Sequence, residues 1–234
     1  ITVEDNFFGG IYTLTLSQTT PPTPGQATKQ PMVIPVAMGL LNSDGSEAIP
    51  TQVLTLNNDK QSFTFSGLAK RPIPSLLRGF SAPVILQRAT SQSEYLTLLA
   101  HDTDMFNRYE ASHELGRAAL INMVWKGASP DQSYVDAMLK VIGNEDLDPA
   151  FRAICCSLPG PDETAQALLD FGHTPDPVEI YNSHHDLSHC NWPNLAKTSC
   201  RRYTNAILYQ APTHQIQKAA AIALWPILPC AISL

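Results

Sequence analysis

The hydrophobic pattern of this 234-residue chain changes period once, near residue 90. Before that point apolar and polar residues alternate. In IYTLTLS (11–17), Tyr12, Leu14 and Leu16 fall on one side and Thr13, Thr15 and Ser17 on the other, the mark of a strand with one buried face. From residue 91 apolar residues return at helical intervals instead: Met105, Phe106, Tyr109, Leu120, Met123 and Val124 can share one helix face. Neither a single sheet nor a single bundle accommodates both patterns, so the chain must be a β module followed by an α module. The fold class expected is multidomain β + α, a small sandwich over 1–90 and an incomplete α-helical solenoid over 91–187, with a divergent tail at 188–234.

Within the β module, SQTTPPTPGQATKQP (17–31) carries four Pro and one Gly and reads as a loop. MVIPVAMGLL (32–41) is apolar throughout, which suits a strand near the middle of a sandwich, while Pro35 calls for an edge position or a bulge. NSDG (42–45) is a turn, with Asp44 and Gly45 supplying left-handed positions. TQVLTL (51–56), QSFTFSG (61–67), SLLRGFSAPV (75–84) and VILQR (84–88) read as further strands. Roughly seven short strands with Pro/Gly turns predict an immunoglobulin-like sandwich.

The α module announces its helix starts chemically. Ser91 or Ser93 can cap the first helix and Asp104 the second, which Gly127 closes. Ser129-Pro130 followed by Gln132 has capping-box spacing with Pro at the first helical position. Asp148-Pro149, Gly160-Pro161 and Asp176-Pro177 repeat the cap-then-proline pattern, and Gly143 and Gly172 stand where left-handed C-terminal caps belong. Short capped helices in series predict antiparallel helix pairs, the unit of a solenoid.

Charge excludes some functions. The net charge of −6 argues against a nucleic-acid partner, which needs clustered Lys and Arg. No apolar run approaches the ~20 residues that span a bilayer, so no membrane role is expected. Five Cys without framework spacing predict reduced thiols and a cytoplasmic home. The chain opens ITVEDNFF, without Met or a secretory signal, which predicts excision from something longer. All 21 Asp and Glu lie at or before Asp186, whereas the tail holds Lys197, Arg201, Arg202 and Lys218 and no acid. So abrupt a shift marks a boundary. It has two readings, a reading frame that slips near 186–190 or a genuinely divergent helical end.

Three stretches together resemble one family: YTLTLSQTTPPTPGQATKQPMVIPVAMGLLNSDG (12–45), IPSLLRGFSAPV (73–84) and LLAHDTDMFNRYEAS (98–112), reinforced by DLDPAF (146–151). They are similar to the bacterial aminopeptidase N branch of the zinc metallo-aminopeptidases. The resemblance covers about residues 1–187 and implies the immunoglobulin-like third domain and the start of the fourth, helical domain of that family. The family's chemistry rests on an H-E-x-x-H helix with a downstream Glu ligand and on a Gly-x-Met-Glu-Asn loop that holds the substrate's amine. Neither motif occurs in this sequence. No catalytic, cofactor-binding or metal residue therefore carries over, and the segment alone is expected to be inactive. By the same resemblance, zinc belongs to a catalytic domain elsewhere in the parent chain. That domain and the remaining solenoid would be the partners, and peptides the parent's substrate.

Some residues invite a site reading on their own. YEASHELGRAAL (109–120) contains His113-Glu114, the first half of a zinc-peptidase motif, but position 117 is Arg. A guanidinium cannot ligate zinc and would put positive charge where the metal must sit. An ordinary helix surface, with Glu114 and Arg117 as an i,i+3 ion pair, is the expectation. His184, His185, His189, Cys190 and Cys200 are dense in metal-capable groups, but their spacing matches no standard finger. Of the adjacent Cys155 and Cys156, one should face the core, and neither has a His or Lys beside it in sequence that would mark an activated thiol. Met32, Met38, Met105, Met123 and Met138 read as core, and Lys70-Arg71 with Arg78 as a small solvated basic patch. The leading functional expectation is an accessory segment of an aminopeptidase. The alternatives are a stand-alone binding module working through loop 17–31 and a zinc enzyme built from the His/Cys tail.

Overall fold

The computed structural model describes residues 1–189, which form six strands and then six α-helices. Two compact units divide between Arg108 and Tyr109. The first holds two three-stranded antiparallel sheets. One has the order β1 (Thr2–Phe8), β2 (Ile11–Ser17), β5 (Lys60–Phe65), and the other β4 (Glu47–Leu56), β3 (Ile34–Leu41), β6 (Ile73–Leu76). Tyr12, Leu14 and Leu16 of β2 are fully buried, as their alternation predicts, and pack with Val36, Met38, Leu40 and Leu56 in one core. The β1–β2 turn is Gly9-Gly10, both at positive φ, the backbone a two-residue hairpin requires. Gly45, at φ +85, closes the 42–46 turn by donating to the Asn42 carbonyl.

Central β3 resolves the demand that Pro35 makes. Its residues Met38–Leu41 pair with β6 as well as β4, with bulges around Leu40, but Pro35 pairs with Thr55 of β4 alone. Pro35 thus sits where the strand is locally an edge, which is where a residue without an N–H can stand. Two further residues on, the Ala37 N–H donates to the Ser81 hydroxyl.

The expected strands over 75–84 and 84–88 are not formed. Only Ile73–Leu76 is extended; Leu77 turns left-handed and Arg78–Phe80 make a 3-10 turn. Residues 84–88 pair with the β1 backbone in a single parallel bridge, Thr2 to Gln87. Backbone bonds from Val3 to Gln87 and from Gln87 to Ile1 hold the segment leaving the sandwich beside β1.

The first helix, α1 (Gln92–His101), begins at a complete capping box formed by Ser91 and Glu94. Asp104 accepts from the Asn107 N–H and starts α2 (Met105–Lys126), and Gly127 ends it at φ +59. α3 (Gln132–Gly143) is capped by Asp131, which accepts from Ser133 and Tyr134. The expected Ser129 cap is therefore displaced by two residues, and Pro130 lies before the helix. Gly143 ends α3 without a positive φ, and Asn144 is the C-cap, so it is not the left-handed cap expected. The cap-then-proline expectation holds for α4 (Pro149–Cys155), α5 (Pro161–Asp170) and α6 (Pro177–His189). Gly172, at φ +78, closes α5 in a Schellman arrangement, with His173 donating to the Leu168 carbonyl and Gly172 to Leu169. Ile121 of α2, Ala167 and Leu168 of α5 and Ile180 of α6 share a core. Gly116 lets α2 approach α3: a Cβ there would lie 3.2 Å from the Tyr134 hydroxyl.

Candidate functional site

His113 and Glu114 lie on successive faces of α2, and neither is free to serve a metal. His113 Nε2 stands 3.4 Å from the Glu163 carboxylate in the first turn of α5, with the Tyr109 ring 5.8 Å from its own. Glu114 forms an ion pair with Arg117, one turn on, as the spacing predicts. The second imidazole that a zinc helix needs is replaced by a paired guanidinium, so these residues do not fit the metal. His185 stacks with Tyr181, 6.3 Å between ring centroids, and its Nδ1 is 3.6 Å from Asp186. Cys190 and Cys200 lie outside the described residues. Among the described residues no group of three or more His, Cys, Asp or Glu side chains could hold a metal ion.

Other sequence readings divide. Met38, Met123 and Met138 are core residues, but Met32 and Met105 are about half exposed. Cys155 is buried and Cys156 partly so, and burial first, then the two thiols, push the Tyr134 phenol well above its ordinary range. The supposed basic patch does not exist as one feature. Lys70 is exposed, Arg71 pairs with Asp5 at 2.5 Å, and Arg78 is buried against Glu47 (2.9 Å) and Asp102 (3.2 Å). A buried guanidinium is stable only when its donors are matched by acceptors, so Arg78 is a tie rather than a solvated turn.

A second tie joins the end of the sandwich to α1. Arg88, with a nearly buried side chain, donates to Asp5 of β1 at 3.2 Å and to Glu94 of α1 at 2.7 Å. Glu94 is the same residue that accepts from the Ser91 backbone in the capping box. Burial pushes the Glu94 carboxyl up, but hydrogen bonds from Arg88 and Ser91 outweigh it and hold the group below the usual carboxylate range. Burial and the neighbouring Asp5 raise the Tyr12 phenol, with Arg88 opposing. Sequence reading missed both ties. The only signal was the capping-box pair Ser91/Glu94; nothing marks Arg78 or Arg88 as buried, because their partners lie far along the chain.

What the described residues offer is therefore a set of buried polar joints around the two sheets and α1. Residues 1–89 match a family described as a domain of unknown function (DUF3458) with an Ig-like fold, and residues 92–222 its partner domain, described as ARM repeats. The chain belongs to this family, as a segment of the bacterial aminopeptidase N kind. It is 34% identical over 195 residues to the aminopeptidase N of Escherichia coli, covering 77% of the chain and 22% of that protein. It is 36% identical over 133 residues to the aminopeptidase N of Caulobacter vibrioides, covering 55% of the chain and 15% of the relative. It thus spans about a fifth of the length of these relatives or less. Its fold is also that of part of a crystal structure of Legionella pneumophila aminopeptidase A in complex with aspartic acid. There the TM-score is 0.72 at 23% identity, over 97% of the chain and 27% of that structure. Among the described residues no helix is long and apolar enough to cross a membrane.

Proposed function

We propose that this DUF3458 segment is a non-catalytic accessory part of a zinc-dependent aminopeptidase that removes N-terminal residues from peptides in the cytoplasm. The observation that carries the reading is the pairing of an Ig-like and an ARM-repeat match, in that order, with relatives named aminopeptidase N. The sandwich serves as a spacer, and the helices form part of the wall of the substrate chamber. Arg88 supports the spacer role, since it ties β1 to the first turn of α1 and stiffens the exit from the sandwich. The zinc and the hydrolytic step belong to a separate catalytic domain, which with the remaining solenoid is the segment's partner. Zinc there supplies an activated water for attack on the first peptide bond. The residues of this chain position and enclose.

The test has two parts. The isolated 234-residue chain, supplied with zinc, should hydrolyse alanyl-4-nitroanilide no faster than buffer. The gene region encoding it should carry an H-E-x-x-H domain in frame upstream. Zinc-dependent hydrolysis by the isolated chain would overturn the non-catalytic reading, and a gene without such a domain would overturn the accessory one.

A further inference from the structure

The strained backbone of the first unit lies in one short turn. Leu77 and Phe80 are its non-glycine residues at positive φ, 56° and 53°, and Gly79 between them is at 62°. Side chains with a Cβ avoid this region, and such residues persist there only where their surroundings hold them. The Leu77 side chain is anchored in the sandwich core. Phe80 is more than half exposed and gains little from burial.

The restraint comes from the corner between α1 and α2. Asp104 Oδ2 accepts from the Gly79 N–H at 2.8 Å, and the Phe106 ring lies 5.3 Å from that of Phe80. Arg78, inside the turn, uses all three of its nitrogens: Nε donates to Ser75 (2.8 Å), Nη1 to Glu47 and Thr51 (2.9 and 2.5 Å), and Nη2 to Asp102 (3.2 Å). The corner reaches back as well, since Asn107 donates to the same Ser75 hydroxyl at 2.7 Å and Thr103 to the same Glu47 oxygen at 3.2 Å. The room for the guanidinium is made by Gly39 of β3, where a Cβ would stand 2.5 Å from Arg78 Cζ. The Asp102 carboxylate is fully buried, so without Arg78 it would be an uncompensated charge.

We propose that the Leu77–Phe80 turn and the Asp102–Asn107 corner form a clasp, strained on one side and closed by Arg78, that opens and closes as one local unit. Closed, it holds the first turn of α2 on the sandwich. Open, it lets the turn relax and frees the corner while the two sheets stay intact. The clasp depends only on residues of this unit and stands whether or not the aminopeptidase reading holds.

Hydrogen exchange on the full 234-residue chain, read by peptide mass spectrometry, tests it. Gly39→Ala should speed exchange over 99–108 by about tenfold, with β2 exchange nearly unchanged, as for a local opening. Phe80→Gly and Phe80→Ala separate strain from ring contact, because both lose the Phe106 contact but only Gly relieves the left-handed backbone. The Gly variant should therefore exchange more slowly over 99–108 than the Ala variant. These two changes are at an exposed position and keep the test usable if Gly39→Ala unfolds the chain. Unchanged corner exchange in Gly39→Ala, an equal rise in β2, or faster exchange in Phe80→Gly than in Phe80→Ala would each overturn the clasp.

Discussion

Arg78 shows what a single side chain can settle and what a sequence hides. Beside Lys70 and Arg71 it reads as surface charge, yet its partners Glu47 and Asp102 lie 31 and 24 residues away in the chain. No local pattern announces a tie of that span, whereas Arg117 announces plainly that His113-Glu114 is not a zinc helix. Breaking a buried ion pair from one side leaves the other charge stranded, so Arg78→Met should destabilise the chain by about 3–5 kcal/mol. Adding Asp102→Leu should recover part of that loss, and urea unfolding followed by far-UV circular dichroism measures both. Glu47 gives the pair a pH signature. The hydrogen bond from Arg78 holds its carboxyl below the usual carboxylate range, against the pull of burial and with help from Thr103. A carboxyl whose folded value is depressed stabilises the fold above its unfolded value, and that contribution is lost as pH falls through the folded one. The urea midpoint should therefore drop as pH falls below about 4.3, the ordinary value for Glu. Glu47→Gln should flatten that slope, and an equal slope in the variant would remove Glu47 from the account.

Elements were legible where a local rule decides them. The alternation of β2, the Ser91 cap (one of the two serines expected), the Asp-Pro starts of α4 and α6 and the left-handed Gly172 all work over one turn of chain, and all stand as the residues suggest. Failures came where two local rules competed or a distant partner chose. SLLRGFSAPV is apolar enough for a strand, but Arg78 within it is drawn to Glu47 and Asp102, and the chain bends into a turn instead. Before α3, Ser129-Pro130 reads as the start, but the Asp131 carboxylate two residues on takes the cap. That difference is measurable. Asp131→Ala should cost about 1 kcal/mol, the usual worth of an N-cap, and Ser129→Ala a few tenths at most. Thermal unfolding of the two variants ranks them, and the reverse ranking would restore Ser129 as the cap.

For the molecule as a whole, the change of period near residue 90 foretold a sandwich followed by helices. The first compact unit runs on to Arg108, taking α1 and the first turn of α2 with the sheets. The reason is physical: Arg88 and Arg78 bind Glu94 and Asp102 of the helical sequence into the sandwich more firmly than helical periodicity suggests. All three Trp, at 125, 192 and 225, follow Arg108 in the sequence, so indole fluorescence has no reporter within residues 1–108. Arg78→Met should therefore lower the far-UV strand transition of the first unit while moving the fluorescence transition little. Asp148→Ala, which removes the cap of α4, should do the reverse, by about 1 kcal/mol on the fluorescence probe. Helix α2 begins in the first unit and ends in the second. If both probes shift together in both variants, α2 transmits unfolding across the division and the two units melt as one.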